Sequence, residues 1–229
     1  MNRLEQDVPF ASLPALVDDA ARRFGENPLW VSIDDGTRIS FAAFARLTLK
    51  CANALRKLGA GPGTHVSVML PNVPAYVITW IALSRLGAVM VPVNMQYKSR
   101  ELEYVLRDSE SKFLVIDESA IPIFEGIENG TSLIQPANLV IHGAGSESRR
   151  NWRRIVEDAP DAAPAVPQPD ANTLMSIQYT SGTTGFPKGC MLTQDYWLVL
   201  GWVRTHQGPP PARIMIDRPL SYKIGRAHV

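Results

Sequence analysis

The sequence contains few residues that could form disulfides or bind a structural metal. It has two cysteines and four histidines in 229 residues, and Cys51 and Cys190 share no ligand spacing with each other or with the histidines. A disulfide scaffold and a zinc finger are therefore excluded. An excess of charge of one sign is also lacking, because 23 Lys and Arg residues offset 22 Asp and Glu residues. No basic field is available to hold a nucleic acid, so we expect no nucleic-acid partner.

Long hydrophobic runs are lacking as well. The most apolar stretch, residues 75–93, is interrupted by Ser84, Arg85 and Gly87, which predicts a buried helix followed by a strand instead of a transmembrane segment. The first ten residues have no apolar signal core behind Arg3. With 45% hydrophobic and 20% charged residues, the composition is typical of a globular domain with a real core. We therefore expect a cytoplasmic protein.

The sequence does contain a regular alternation of apolar strands and amphipathic helices. A first helix begins after a Ser12 cap and ends at Gly25, and a longer helix runs from Ser40 to Gly59. Further helices are predicted at residues 75–86 and 101–108, between strands at residues 65–70, 88–93, 112–116, 139–142 and 174–179. Strands rich in Val, Ile and Leu between such helices are typical of a parallel sheet covered on both faces. The predicted fold class is α/β.

One segment has an unusual composition: residues 179–189, which read Tyr-Thr-Ser-Gly-Thr-Thr-Gly-Phe-Pro-Lys-Gly. Glycines allow backbone N–H groups to approach an anion without interference from Cβ, and the hydroxyls of threonine and serine add donors for phosphate oxygens. Lys188 supplies a point charge for negative charge that accumulates there. The candidate phosphate-binding residues are Thr180, Ser181, Gly182, Thr183, Thr184, Gly185 and Lys188.

This loop differs from two well-known nucleotide-binding loops. A Walker loop requires Gly-Lys followed by Ser or Thr, whereas Lys188 follows Pro187 and precedes Gly189. No G-x-G-x-x-G fingerprint follows a predicted strand, so a dinucleotide-binding fold is not indicated. A kinase or nucleotide hydrolase, or a non-catalytic phosphate-binding fragment, stays open as an alternative function.

The loop resembles the signature of the adenylate-forming (AMP-binding) superfamily, Y-T-S-G-T-T-G-x-P-K-G, and matches it at every fixed position. The stretch from residue 83 to residue 117 and the sequence Met-Leu-Thr at residues 191–193 are similar to the family as well. Within the superfamily the resemblance is to the acyl-CoA synthetase branch. Members that activate small acids such as carnitine or crotonobetaine are the most similar in sequence.

The resemblance implies the N-terminal part of the large adenylate-forming domain and a two-step ligase reaction. A carboxylate attacks the α-phosphate of ATP bound with Mg²⁺, and a thiol, usually that of coenzyme A, then displaces AMP to form a thioester. The expected partners are thus ATP, Mg²⁺, coenzyme A and a small-molecule carboxylic acid, and the expected catalytic residue is Lys188. No metal-binding residue is assigned, and the oligomeric state stays open.

The resemblance also implies an incomplete domain, since family members are more than twice this length. We expect residues 1–222 to be the N-terminal portion of the adenylation domain, inactive on its own. Residues 223–229 are expected to be a non-native tail, because residues 224–229 back-translate to ATC GGA AGA GCA CAC GTC, a string contained in a widely used sequencing-library adapter whose first two bases would complete the codon of Lys223.

Single residues with reactive side chains have simpler interpretations. Cys190 lies next to the loop, but no nearby histidine or assignable helix start would activate it, so it is predicted to be a small packing residue. His65, His142 and His206 are predicted in a strand, at a strand end and in a loop, as histidines that bind no metal. Tyr179 either lines a pocket or packs against the sheet.

Overall fold

The computed structural model describes residues 8–33, 36–143, 150–180, 187–206 and 220, with side chains as far as residue 203 in the last helix. The N-terminal part contains helix α1 (Leu13–Phe24), strands β1 (Pro28–Val31) and β2 (Arg38–Ser40), and helix α2 (Phe41–Lys57). Both helices begin as the sequence predicts, because the Ser12 and Ser40 side chains accept hydrogen bonds from the backbone three residues on. Gly25 ends α1 with a φ of 49°, which favours glycine.

The centre of the molecule is a six-stranded sheet. Its strands are β3 (His65–Met69), β4 (Val89–Pro92), β5 (Phe113–Asp117), β6 (Leu139–His142), β7 (Leu174–Thr180) and β8 (Lys188–Thr193). They lie in the order β6-β5-β3-β4-β7-β8. All neighbouring strands are parallel except β7 and β8, which form an antiparallel pair. The predicted α/β class and mostly parallel sheet are confirmed.

Helices cover both faces of this sheet. The connecting helices are α3 (Pro74–Arg85), α4 (Ser99–Asp108), α5 (Ile121–Glu125), α6 (Gly130–Leu133) and α7 (Trp152–Glu157). On one face, Val66 and Val68 of β3 pack with residues of α2, α3 and α7. On the other, Met69 packs with residues of α4 and α5. The alternation along β3 thus divides the core into two layers, and each fully buried aliphatic side chain contributes about 1.5–3 kcal/mol.

The last helix, α8 (Gln194–His206), lies against the layer that contains α1 and α3. Gln194 is fully buried; its Nε2 donates to Ser84 Oγ (2.7 Å) and its Oε1 accepts from the backbone N–H of Leu13 (3.1 Å). One side chain therefore joins the starts of α1 and α8 to the end of α3. The predicted loop at His206 is wrong, because residue 206 is the last residue of this helix.

An ion pair with a buried guanidinium joins α3 to α1 and α2. The Arg85 side chain is 6% exposed; its Nε donates to Thr48 Oγ1 (2.9 Å) and its Nη1 to Asp18 Oδ2 (3.0 Å). Thr48 lies on α2 and Asp18 on α1, so the guanidinium of α3 holds both helices against it. Its fixed fork geometry suits two separate acceptors of this kind.

Candidate phosphate-binding site

The segment with the unusual composition leaves the sheet at its carboxyl-terminal end, where the parallel strands end. Strands β3 to β7 run in the same direction, so their carboxyl ends share one edge of the sheet. Strand β7 ends there at Thr180, and β8 starts there at Lys188. Ligands of open α/β sheets bind beside this edge, so the position agrees with a role in binding.

The structure changes the environment predicted for Lys188. Thr180 and Lys188 are paired as opposite residues at the end of the β7–β8 ladder, so Lys188 is the first residue of a strand and not part of a loop. The ladder extends this far because each residue from Ile177 to Thr180 has a partner in β8. Lys188 is exposed, and it forms no ion pair with another residue in the described part of the chain. Its ammonium group is therefore available to an anion.

The described structure includes two of the seven candidate phosphate-binding residues, Thr180 and Lys188. Thr180 is partly buried, and because opposite residues of an antiparallel pair project to the same face, it shares a face of the hairpin with Lys188. The same face carries Ser176, whose Oγ accepts from Trp197 Nε1 of α8 (3.0 Å). The other candidates lie outside the described residues: Ser181, Gly182, Thr183, Thr184 and Gly185.

Tyr179 is a residue whose role the sequence left undecided. Its hydroxyl donates to Asp108 Oδ2 (2.6 Å), and its ring meets the Tyr104 ring edge-on, with centroids 6.3 Å apart. Burial, together with the hydrogen bond to the Asp108 carboxylate, raises the pKa of Tyr179 above its ordinary value. Of the two interpretations of Tyr179, packing agrees better with these contacts than lining a pocket does. Its partner lies 71 residues earlier in the chain, so no local pattern could have revealed the contact.

Cys190 is not the packing residue that the sequence predicts. It is exposed on β8, opposite Gln178 of β7. The prediction fails because β8 lies at the edge of the sheet, where residues 188–191 are all exposed. Cys51, by contrast, is fully buried, and this burial raises the pKa of its thiol to about 12.

His65 and His142 contact other protein groups. His65 Nδ1 lies 2.6 Å from the backbone oxygen of Ser109. At the carboxyl ends of β5 and β6, His142 Nδ1 lies 3.1 Å from Asp117 Oδ2, while Ser119 Oγ donates to Asp117 Oδ1 (2.6 Å). Burial acts to raise the pKa of Asp117, but the hydrogen bonds from Ser119 and His142 outweigh it, so the pKa is lowered. Within the described residues, no group of three or more His, Cys, Asp or Glu side chains could hold a metal ion.

Two surface clefts lie away from Lys188. One, of about 440 Å³, is lined by residues that include Phe124, Ile134, Leu139 and Arg150, beside the edge strand β6. The other, of about 290 Å³, is lined by residues that include His65. It lies at the amino-terminal end of the sheet, where the parallel strands begin. Neither cleft is lined by Thr180 or Lys188.

Comparison with known proteins identifies the class to which this arrangement belongs. Residues 17–223 match the family model described as AMP-binding enzyme, and the chain belongs to this family. Long-chain-fatty-acid–CoA ligase FadD13 of Mycobacterium tuberculosis is 31% identical over 193 residues, 83% of this chain and 37% of that protein. Crotonobetaine/carnitine–CoA ligase of Shigella flexneri is 26% identical and covers 77% of this chain and 36% of that protein.

A solved structure agrees with the sequence comparisons. The inhibitor-bound N-terminal domain of FACL13 from Mycobacterium tuberculosis superposes with a TM-score of 0.71 at 25% identity, over 81% of this chain and 45% of that one. The predicted membership of the acyl-CoA synthetase branch is thereby confirmed, and carnitine ligases are among the relatives. The chain spans little more than a third of the length of the curated relatives it matches. In the described part of the chain, every helix is too short or too polar to cross a membrane.

Proposed function

We propose that this chain carries the phosphate-binding loop of a ligase that activates a carboxylic acid with ATP and transfers the acyl group to coenzyme A. The observation that supports it most strongly is the pairing of Thr180 with Lys188. This pairing brings the two ends of a Gly- and Thr-rich segment together at the binding edge of the sheet, beside an exposed ammonium group.

The first step needs the groups that this loop offers. A carboxylate oxygen of the acid forms a bond to the α-phosphorus of ATP, and the bond from that phosphorus to the β-phosphate oxygen breaks. Pyrophosphate leaves with the electron pair and carries several negative charges. Lys188 would stabilise this charge as it develops, together with the hydroxyl of Thr180 and the donors of residues 181–185. Mg²⁺ would enter as its complex with ATP.

The second step transfers the acyl group. The thiol loses its proton to solvent and its sulfur forms a bond to the acyl carbon. The bond from that carbon to the AMP oxygen breaks, and AMP leaves with the electron pair. We propose no residue of this chain for that step. The names of the relatives include ligases for long-chain fatty acids, ferulate and sulfoacetate, so they do not select one acid.

The test is pyrophosphate exchange into ATP, measured on the complete ligase that we propose to contain this chain. Lys188→Ala is expected to slow acid-dependent exchange by about 100-fold to 1,000-fold, as expected when a group that stabilises transition-state charge is removed. Lys112→Ala is the matched control, because Lys112 is an exposed lysine. It lies directly before β5, at the end of the sheet where the parallel strands begin. Equal exchange rates for both variants would remove Lys188 from the mechanism.

We further propose that residues 1–222 form the N-terminal portion of the adenylation domain and that residues 223–229 are a non-native tail. The family match over residues 17–223 and the partial coverage of the relatives support the first half of this proposal. Sequencing the source DNA through the codon for Tyr222 tests both halves. A reading frame that continues in place of the adapter supports them, and a genomic stop codon after Val229 contradicts them.

A further inference from the structure

The end of β7 is fastened to α4 by one side chain. The Tyr179 hydroxyl donates to Asp108, the last residue of α4, at 2.6 Å, and the Tyr179 ring contacts Tyr104 one helical turn earlier. Thr180 follows Tyr179 directly and begins the candidate phosphate loop. The hydrogen bond and the ring contact together restrain the strand where the loop begins.

The same ring also meets the strand on the other side of the loop. Gly189, next to Lys188, is the residue opposite Tyr179. A Cβ atom at Gly189 would lie 3.2 Å from Cζ of Tyr179 and 2.8 Å from Cγ2 of Ile177. A side chain at residue 189 would therefore collide with Ile177 and press on the hydroxyl end of the Tyr179 ring. Tyr179, which lies in β7, therefore also contacts β8, the strand on the other side of the loop.

The Tyr179 hydroxyl stays a donor at neutral pH. Burial raises the pKa of Tyr179, and the neighbouring Asp108 carboxylate raises it further, so the phenol keeps its proton. Neither Tyr179 nor Asp108 shares the face of the hairpin on which Thr180 and Lys188 project, because neighbouring residues of a strand alternate between faces. Their effect on a ligand must therefore act through the backbone.

We propose that Tyr179 is a positioning residue that, through its hydrogen bond to Asp108 and its contact with Gly189, fixes Lys188 for binding the pyrophosphate part of ATP. The proposal rests on the proposed function of Lys188. It adds that residues on the opposite face of the sheet determine the position of Lys188. Asp108 and Gly189 complete the positioning group, and each makes a separate prediction.

Binding of inorganic pyrophosphate with Mg²⁺ to the 229-residue chain, measured by calorimetry, tests the proposal. Tyr179→Phe keeps the ring and removes the hydroxyl, and it is expected to weaken binding about threefold to tenfold, the typical net contribution of one hydrogen bond. Asp108→Asn keeps an acceptor oxygen and should bind within about twofold of the unaltered chain, whereas Asp108→Ala should match Tyr179→Phe. Tyr196→Phe, at a partly exposed tyrosine on α8, is the control and should bind like the unaltered chain.

Hydrogen exchange of the amides at residues 188–191 supplies a readout that needs no ligand. Tyr179→Phe should speed this exchange by a factor similar to the loss of affinity, and Tyr196→Phe should leave it unchanged. Gly189→Ala places a methyl group against Ile177 and the Tyr179 ring without removing the hydroxyl, and it should reproduce both effects.

The outcomes separate the two proposals. Weaker pyrophosphate binding in Lys188→Ala, with Tyr179→Phe equal to Tyr196→Phe, would overturn the positioning role and leave the proposed function in place. Faster exchange without a loss of affinity would also overturn it, because Tyr179 would then stabilise only the strand pair. Equal binding in Lys188→Ala and the unaltered chain would overturn both proposals. No binding by the unaltered chain would overturn the positioning role alone, because the proposed function concerns the complete ligase.

Discussion

The ion pair between Arg85 and Asp18 makes a prediction that runs against the exposure of its two partners. Arg85 is almost completely buried, while the Asp18 side chain is 41% exposed. Asp18→Ala leaves the buried guanidinium with Thr48 as its remaining described partner, and an unpaired buried charge costs about 3–5 kcal/mol. Arg85→Met removes the buried charge, fills much of its volume and leaves Asp18 in contact with water, so it should cost only about 1–3 kcal/mol.

Urea denaturation of the 229-residue chain measures both costs. Asp18→Ala should be the more destabilising change, although Asp18 is the more exposed residue. The expected loss of stability corresponds to a melting temperature lower by about 6–20 °C for a chain of this length. The double variant should be more stable than Asp18→Ala alone, because the charge without a partner is then absent. A smaller loss in Asp18→Ala than in Arg85→Met would refute the reasoning, since it would show that water reaches the guanidinium.

Two further predictions concern titration and thiol chemistry. The lowered pKa of Asp117 means that its contribution to stability is complete above the ordinary carboxyl value of 3.8 and is lost as the pH falls through the lower folded-state value. Asp117→Asn should therefore reduce the loss of stability in acid, measured by urea denaturation at several pH values, and an unchanged acid profile would contradict this. Cys190 should react with a thiol reagent in the native chain, whereas Cys51, buried and with its pKa raised to about 12, should react only after unfolding. Two rapidly reacting thiols in the native chain, or one in Cys190→Ser, would contradict that assignment.

The sequence predicts the parallel part of the sheet well because local chemistry determines it. Strands β3 to β6 are short apolar runs buried on both faces, and the serine caps at residues 12 and 40 mark the helix starts. The order of the strands does not follow from such patterns, because β5 lies beside β3 instead of β4. That order depends on which helix packs on which face.

The site is less predictable than the fold for a similar reason. Composition predicts a phosphate-binding loop at residues 179–189, but Lys188 and Gly189 are poor strand formers, and only their pairing with β7 makes β8 a strand. Pairing also places Cys190 in solvent at the edge of the sheet. The Tyr179–Asp108 contact joins residues 71 apart and is a property of the folded chain alone.

The central claim, that the acid attacks the α-phosphate of ATP, is tested most directly with a carboxylic acid labelled with ¹⁸O in both oxygens. The measurement uses the proposed complete ligase and an acid that supports pyrophosphate exchange, and mass spectrometry then locates the label among the products. One ¹⁸O atom in AMP is the predicted result, because the oxygen that attacks phosphorus stays with AMP when the thiol takes the acyl group. Formation of ADP with the label in inorganic phosphate would contradict the account, since the acid would then have attacked the terminal phosphate.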